Sequence, residues 1–285
     1  MKLSTFSTIC ALGLFFLSSC SDSPLTPEEA ATKVTFVTVP SGYIEVPLED
    51  GSSDTRTVGL DYSLEVSLYE TTQEEFQALL GVNPSWFTGA NYPGWKIRPV
   101  EHVTWFDAVV YCNRLSELRG LQPAYQINYL EGNINVGYYN GSVELLPDAN
   151  GYRLPNVNEW EYACRAGTTT DFYTGDLIGD GKTCGTHELN AEKAGWYCTN
   201  SRRPSVPNGE TKRVGQLEPN SFGIYDMHGN VWEWCQEANT VKGGSWANEP
   251  FFARSSSFVG EVWQTGCEGG ARYFNVGFRV VRTVR

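Results

Sequence analysis

Residues 220–237 of the chain read NSFGIYDMHGNVWEWCQE, and the rest of the sequence is organised around this stretch. Asp226 is followed by Gly229, Val231 and Glu233 at alternate positions. Calcium takes carboxylate and backbone carbonyl oxygens together, so this spacing suits a calcium-binding turn. A turn that closes onto a strand, with its two tryptophans in the core, accounts for the same residues. The spacing alone leaves both interpretations open.

Length and charge narrow the class of protein. The 285 residues are enough for one large domain or two ordinary ones, and the 13% of aromatic residues predicts a sizeable core. The formal charge of −12, with no basic stripe, excludes nucleic acid as a partner, because that binding depends on basic contacts. We find neither an internal repeat nor a domain boundary after residue 33.

The N-terminus has the pattern of an exported lipoprotein. Residues 9–17, ICALGLFFL, form an apolar run too short to span a bilayer, and LSSC follows at 17–20. We therefore predict a signal peptide over residues 1–19, lipidation of Cys20, a polar tether over 20–33 and one domain over 34–285. This makes the protein a bacterial membrane lipoprotein on the periplasmic or cell-surface side. An ordinary secretory signal with a coincidental cysteine is the alternative.

Export affects how the remaining cysteines are interpreted. In an oxidising compartment thiols pair, although connectivity cannot be deduced from sequence. Cys184 and Cys198 lie in a glycine-rich segment typical of a loop, and we expect them to form a disulfide. Cys112 and Cys164 lie on apolar helical faces, where a buried thiol acts as a small hydrophobic group.

Short elements connected by long loops are predicted along the chain. Capping pairs begin a helix at Thr72, with Glu75, and another at Asn156, with Glu159. Apolar residues at helical spacing predict a third helix over 105–118. The predicted strand regions are an opening hairpin over 34–46, a strand over 61–68 and a surface hairpin over 126–150. Residues 168–214 show little periodicity.

Five motifs occur in an order that resembles a known family. They are PVEHVTWFDAVVYCNRLSE, GYRLPNVNEWEYACRAGT, PNSFGIYDMHGNVWEW, KGGSW and GFRVVR. Together they resemble the formylglycine-generating enzyme family, also called the sulfatase-modifying factor domain, over residues 34–282. The resemblance implies an α+β fold that is a C-type-lectin-like variant, with short strands, two or three helices and long ordered loops. Fold alone does not establish activity.

The resemblance also assigns roles to site residues. In that family an asparagine or aspartate, two backbone carbonyls and a glutamate hold calcium, and the four residues named above occupy these places. Calcium is therefore the expected cofactor. Trp232 and Ser245 match the residues that line the oxygen pocket of the enzyme.

The catalytic pair of the family is not matched. Active members carry two cysteines after the GGS turn, which bind copper(I) as thiolates and oxidise a substrate cysteine. Asn248 and Ala253 stand at those places, and neither offers the thiolate that a soft metal prefers. Cys267 is the one cysteine further on. We therefore do not expect copper. A related iron-dependent branch needs a histidine cluster, and His102, His187 and His228 do not have ligand spacing.

Two main functions follow from this pattern. The first is a calcium-stabilised binding or scaffold protein of the cell envelope. It would bind a protein, peptide or glycan through loops around Trp86, Trp95, Trp246 and Trp263, although each of these tryptophans is equally suited to the core. The alternative is an oxygen-dependent oxidoreductase of the formylglycine-generating type with another ligand set. A structural role in an envelope assembly is a third possibility.

Overall fold

The computed structural model describes residues 24–49, 52–259 and 270–284. These residues form five α-helices, two 3₁₀ turns and thirteen short strands, so there are more helices than the two or three expected. The helices are α1 Pro27–Lys33, α2 Gln73–Leu80, α3 Trp105–Leu118, α4 Val157–Arg165 and α5 Leu189–Ala194, with 3₁₀ turns at Trp95–Ile97 and Pro250–Ala253. None of the described helices is long and apolar enough to cross a membrane. The predicted signal peptide, Cys20, Trp263 and Cys267 lie outside the described residues.

The strands form one three-stranded sheet, one four-stranded sheet and three two-stranded pairs. They are β1 Phe36–Val39, β2 Gly42–Pro47, β3 Thr55–Leu60, β4 Ser63–Ser67, β5 Tyr125–Asn133, β6 Gly137–Leu145, β7 Gly195–Trp196, β8 His228–Gly229, β9 Trp232–Trp234, β10 Val241–Lys242, β11 Phe258–Val259, β12 Val276–Gly277 and β13 Val281–Val284. The three-stranded sheet has the order β1-β4-β13 and the four-stranded sheet has the order β11-β10-β9-β12. Residues 220–237 therefore supply β8 and one of the two inner strands of the four-stranded sheet, β9.

Local sequence signals set the helix ends. α2 and α4 begin with the predicted capping boxes, in which Thr72 pairs with Glu75 and Asn156 pairs with Glu159. α3 has the same arrangement at Thr104, and its bounds are those predicted from periodicity. Each box satisfies backbone N–H groups that a helix otherwise leaves without partners. The predicted surface hairpin is also confirmed as the pair β5–β6.

The predicted opening hairpin is wrong. β1 pairs with β4, with Val39 opposite Leu64, whereas β2 pairs with β3. Both Val39 and Leu64 are fully buried. The other edge of β4 pairs with β13, which comes from the end of the described chain. Burial of apolar side chains in the central sheet thus outweighs pairing between neighbouring strands.

The second half of the predicted tether packs on the domain. α1 lies within residues 20–33, and its Ala30 and Ala31 are buried in the main core. Arg119 at the end of α3 donates from Nη2 to the carbonyl of Val34 at 2.6 Å, which ties the helix to α3. Residues 27–33 thus belong to the packed part of the chain rather than to a free linker.

The long segment 168–214 is held by a disulfide. Cys184 and Cys198 are bonded, which confirms the expected pair. Cys198 packs in a small core with Phe172 and Ala253, so the disulfide anchors this segment against the loop after β10. Cys112 and Cys164 are buried free thiols, as predicted from their helical faces.

Candidate functional site

The predicted calcium ligands lie in one buried turn and strand. Asp226 has a φ of +57° and Asn230 a φ of +58°, so the chain turns twice through the left-handed region before β9 begins. Asparagine and aspartate tolerate this region better than other residues that carry a side chain. Asp226, Gly229, Val231 and Glu233 are all buried. The turn thus carries two carboxylates and two carbonyls into the interior.

Glu233 is held by two side chains from distant parts of the sequence. Arg279 donates from Nε to Oε2 and from Nη2 to Oε1, both at 2.7 Å, and Trp160 donates from Nε1 to Oε2 at 2.6 Å. Burial lowers the pKa of the Arg279 guanidinium, but Glu233, together with Glu70 and Asp226, outweighs burial and raises it. The sequence around Glu233 does not predict this pair, because Arg279 lies 46 residues further on.

Asp226 keeps one oxygen without a partner. Oδ2 accepts the N–H of Gly215 at 2.6 Å, whereas Oδ1 is buried and has no hydrogen-bond partner among the described residues. Burial raises the pKa of Asp226 to about 6. The carboxylate of Glu233 has about four lone-pair sites, of which three are occupied. An unpartnered Asp226 oxygen and a remaining Glu233 lone pair fit a hard cation bound by oxygen ligands.

A third buried carboxylate, Glu70, adjoins this turn. Its oxygens accept the Val231 N–H at 3.1 Å and the Asn230 amide at 2.6 Å. Burial raises the pKa of Glu70, and the negative charges of Asp226 and Glu233 raise it further. Nothing in the local sequence distinguishes Glu70 from an exposed glutamate.

In the part of the chain described, no three acidic, histidine or cysteine side chains converge as a metal-binding group.

Asn248 connects the two residues that match the oxygen pocket. Trp232 Nε1 donates to Asn248 Oδ1 at 2.8 Å, and Ser245 Oγ donates to the same oxygen at 2.5 Å. The backbone carbonyl of Asn248 accepts the N–H of Cys198 at 3.0 Å. The place of the first copper-binding cysteine is thus filled by an amide with fixed partners.

Ala253 fills the second place as a buried core residue. Its carbonyl accepts a hydrogen bond from His228 Nδ1 at 2.6 Å. His228 is itself fully buried, and its Nε2 accepts the N–H of Tyr173 at 3.2 Å. Neither this position nor Asn248 carries a thiolate, so the described residues at these places do not form a copper(I) site.

The Cys164 thiol and the His228 imidazole are in contact but do not form a reactive pair. Cys164 Sγ lies 3.7 Å from His228 Nε2. Burial raises the pKa of the Cys164 thiol to about 12 and lowers the pKa of His228 to about 3. Both groups are neutral at physiological pH, whereas a nucleophile or copper ligand needs the thiolate. The contact is therefore structural.

An aromatic surface, formed by Phe87, Trp246 and Phe274, lies beside Ser245, the residue that precedes Trp246. The Trp246 ring meets Phe87 edge to face at 5.2 Å and lies 6.0 Å from Phe274, measured between ring centroids. Trp86 is 68% exposed and Phe274 is 51% exposed, whereas Trp246 is buried and Trp95 half-buried. Of the four tryptophans proposed for binding, Trp86 is the described one that faces solvent.

Comparison with known proteins establishes the family. The sulfatase-modifying factor enzyme 1-like domain matches residues 22–284, so the chain belongs to that family. The chain is 35% identical to the "Chaperone protein LppX" of Paenibacillus barcinonensis over 212 residues, 64% of this chain and 69% of that protein. It is 25% identical to the formylglycine-generating enzyme of Bos taurus over 202 residues, but that match spans 43% of the bovine enzyme.

Solved structures confirm the predicted fold. Treponema denticola variable protein 1 superposes with a TM-score of 0.70 at 27% identity, covering 88% of this chain and 95% of that chain. CarF, at 23% identity and a TM-score of 0.61, covers 88% of this chain and 99% of its own and shares the fold. An α+β fold of the formylglycine-generating type is thus established.

Proposed function

We propose that this protein is an exported, lipid-anchored binding protein with chaperone-like activity that does not perform the formylglycine reaction. The observation that carries the proposal is the hydrogen bonding of Asn248. Its side-chain oxygen bonds to Trp232 and Ser245 at the place where active relatives hold a copper-binding cysteine. Ala253 offers no thiolate either, so the reaction lacks both of its soft ligands.

The relatives and the surface support a protein or peptide ligand. The Paenibacillus protein at 35% identity is named a chaperone. A mouse protein at 27% identity over 177 residues is named an inactive formylglycine-generating enzyme. The exposed ring of Phe274 lies 6.0 Å from the Trp246 ring, and the exposed Trp86 precedes Phe87, whose ring meets Trp246 edge to face. Exposed aromatic groups favour contact with apolar segments of a partner.

We further propose calcium as the stabilising cofactor and Cys20 as the lipid anchor. Asp226, Gly229, Val231 and Glu233 would hold the ion, and the unpartnered Asp226 Oδ1 supports this assignment. Because the turn is buried, calcium would stabilise the fold and would not contact the bound protein or peptide. The anchor would place the domain at the bacterial membrane, on the periplasmic or surface side.

The function is tested with two assays on the same purified protein. After loading with copper(I), the protein should leave the cysteine of a sulfatase-type peptide unconverted, as followed by mass spectrometry. It should slow the aggregation of reduced, unfolded lysozyme, and Trp86→Ser should weaken this effect relative to the exposed-hairpin variant Tyr129→Ser. Conversion of the peptide, or no protection of the unfolded protein, would contradict the proposal.

The oxidoreductase alternative is favoured by one observation. Trp232 and Ser245 match residues of the oxygen pocket of the enzyme. Both side chains donate a hydrogen bond to Asn248 Oδ1, which holds them close together. An active enzyme of this kind would need a second metal-ligand set, and it would retain copper after gel filtration. Metal analysis of the loaded protein therefore separates the two functions.

A further inference from the structure

Three cationic side chains contact one buried carboxylate, Glu210, and a fourth cation lies near one of them. Glu210 accepts hydrogen bonds from Arg203 at 2.7 and 3.1 Å and from Lys212 at 3.1 Å, and Arg98 Nη1 lies 3.3 Å from it. Arg213 is close enough to act electrostatically on Arg98. In a chain of formal charge −12, this cluster is a local excess of positive charge.

The cations of this cluster are incompletely neutralised. Burial lowers the pKa of Lys212; Glu210 opposes that effect, while Arg98 and Arg203 lower it further. Among the described residues, Arg213 has no ion-pair partner, and its side chain packs over Gly94. One carboxylate thus serves several cations, and a second anion would lower the repulsion between them.

Three buried donor groups beside the cluster are unused. Arg98 Nε, Trp196 Nε1 and Thr211 Oγ1 have no hydrogen-bond partner in the described part of the chain. Arg98 is 5% exposed, and its Nη1 donates to the carbonyl of Thr211. The Lys212 ammonium lies 5.9 Å from the Trp196 ring centroid. The unused groups therefore border the same cluster as the excess positive charge.

We propose that this cluster is a binding site for an oxyanion, the carboxylate or phosphate group of a ligand. Arginine and tryptophan nitrogens only donate hydrogen bonds, so unused groups of this kind suit an acceptor and exclude a metal cation. Guanidinium groups match carboxylate and phosphate oxygens in charge and geometry. The Arg98 guanidinium carbon lies 5.8 Å from the Tyr92 ring centroid, and Tyr92 packs on Phe87. The site thus adjoins the aromatic surface, but it does not depend on the function proposed above.

The site is tested by calorimetric titration of the purified protein with inorganic phosphate and, separately, with glutarate. Chloride keeps the ionic strength constant. Saturable binding of either anion is expected; a tighter dissociation constant for glutarate assigns a carboxylate ligand, and a tighter one for phosphate assigns a phosphate group. Lys212→Gln should weaken binding about tenfold, since it removes a charged donor.

Two further variants distinguish binding at this site from a general effect of positive charge. Arg213→Gln alters an exposed side chain and should weaken binding severalfold without affecting the fold, whereas Arg114→Gln, on the exposed side of α3, should leave it unchanged. Absence of saturable binding by both anions would overturn the proposal. Equal weakening by Arg114→Gln and Arg213→Gln would also overturn it, because it would indicate a diffuse charge effect.

Discussion

Arg279 and Glu233 form a bidentate ion pair in the centre of the domain, with both side chains 1% exposed. Arg279 comes from the segment between β12 and β13, and Glu233 lies in the middle of β9. The pair therefore links the strand after the predicted calcium turn to the end of the chain. A buried pair of this kind contributes through the cost of breaking it.

Replacing one partner should reveal that cost. Glu233→Ala leaves the Arg279 guanidinium buried without its carboxylate and should lower the free energy of unfolding by about 3–5 kcal/mol. The matched control is Glu117→Ala, which breaks the exposed pair between Arg114 and Glu117 and should cost less than about 1 kcal/mol. Urea denaturation measures both. Equal effects of the two variants would show that the buried pair has no special role.

Calcium should stabilise the wild-type protein. Because the proposed ion would bind only the folded turn, excess calcium should raise the melting temperature, with a gain of about 2.7 kcal/mol at a hundredfold excess over its dissociation constant. Asp226→Asn should remove most of this gain, whereas Asp180→Asn, in an exposed loop, should retain it. Scanning calorimetry with calcium and with chelator gives the comparison. A melting temperature that does not respond to millimolar calcium would rule out the ion.

Glu101 should make stability depend on pH. Its Oε1 accepts the Phe87 N–H at 3.0 Å, and burial raises its pKa to about 8. The folded protein therefore holds this proton more tightly than the unfolded chain, whose pKa is 4.5. The stabilisation is complete below about pH 4.5 and is lost as pH rises through about 8.

Glu101→Gln removes that titration. The variant should show a flatter stability profile between pH 5 and pH 9 and should exceed the wild type at pH 9 by about 2–4 kcal/mol. The control is Glu131→Gln on the exposed hairpin, which should follow the wild-type profile. Denaturant titrations at several pH values provide the measurement. Parallel profiles for wild type and Glu101→Gln would contradict the expectation.

The disulfide should stabilise the loop beside Asn248. Its closure spans a separation of 14 residues, for which the chain-entropy estimate is about 3 kcal/mol. The double variant Cys184→Ser, Cys198→Ser should unfold at a correspondingly lower denaturant concentration. Reductant should shift the wild type to the same midpoint and leave the double variant unchanged. A reductant effect on the double variant would point instead to another thiol.

The family and several elements were predictable from sequence because their signals are local. The capping box at Thr72 and the periodicity of residues 105–118 each depend on residues within a few turns of a helix. The motif at 220–237 likewise predicted the buried turn and β9. The pair Cys184–Cys198 was also found, because a short glycine-rich loop brings both residues within reach.

Tertiary structure alone decided which distant residues meet. The partner of β1 is β4 rather than β2, since central burial of Val39 outweighed sequence proximity. Glu70 bonds to Asn230 across 160 positions, and Arg98 lies beside Glu210. A charged residue carries no local sign of its eventual partner, because long-range pairing depends on how the whole chain buries its apolar surface. The sequence thus determined three of the helices, the surface hairpin, the turn and the missing thiols, whereas the packed chain decided the strand partners, the ion pairs and the unused donors.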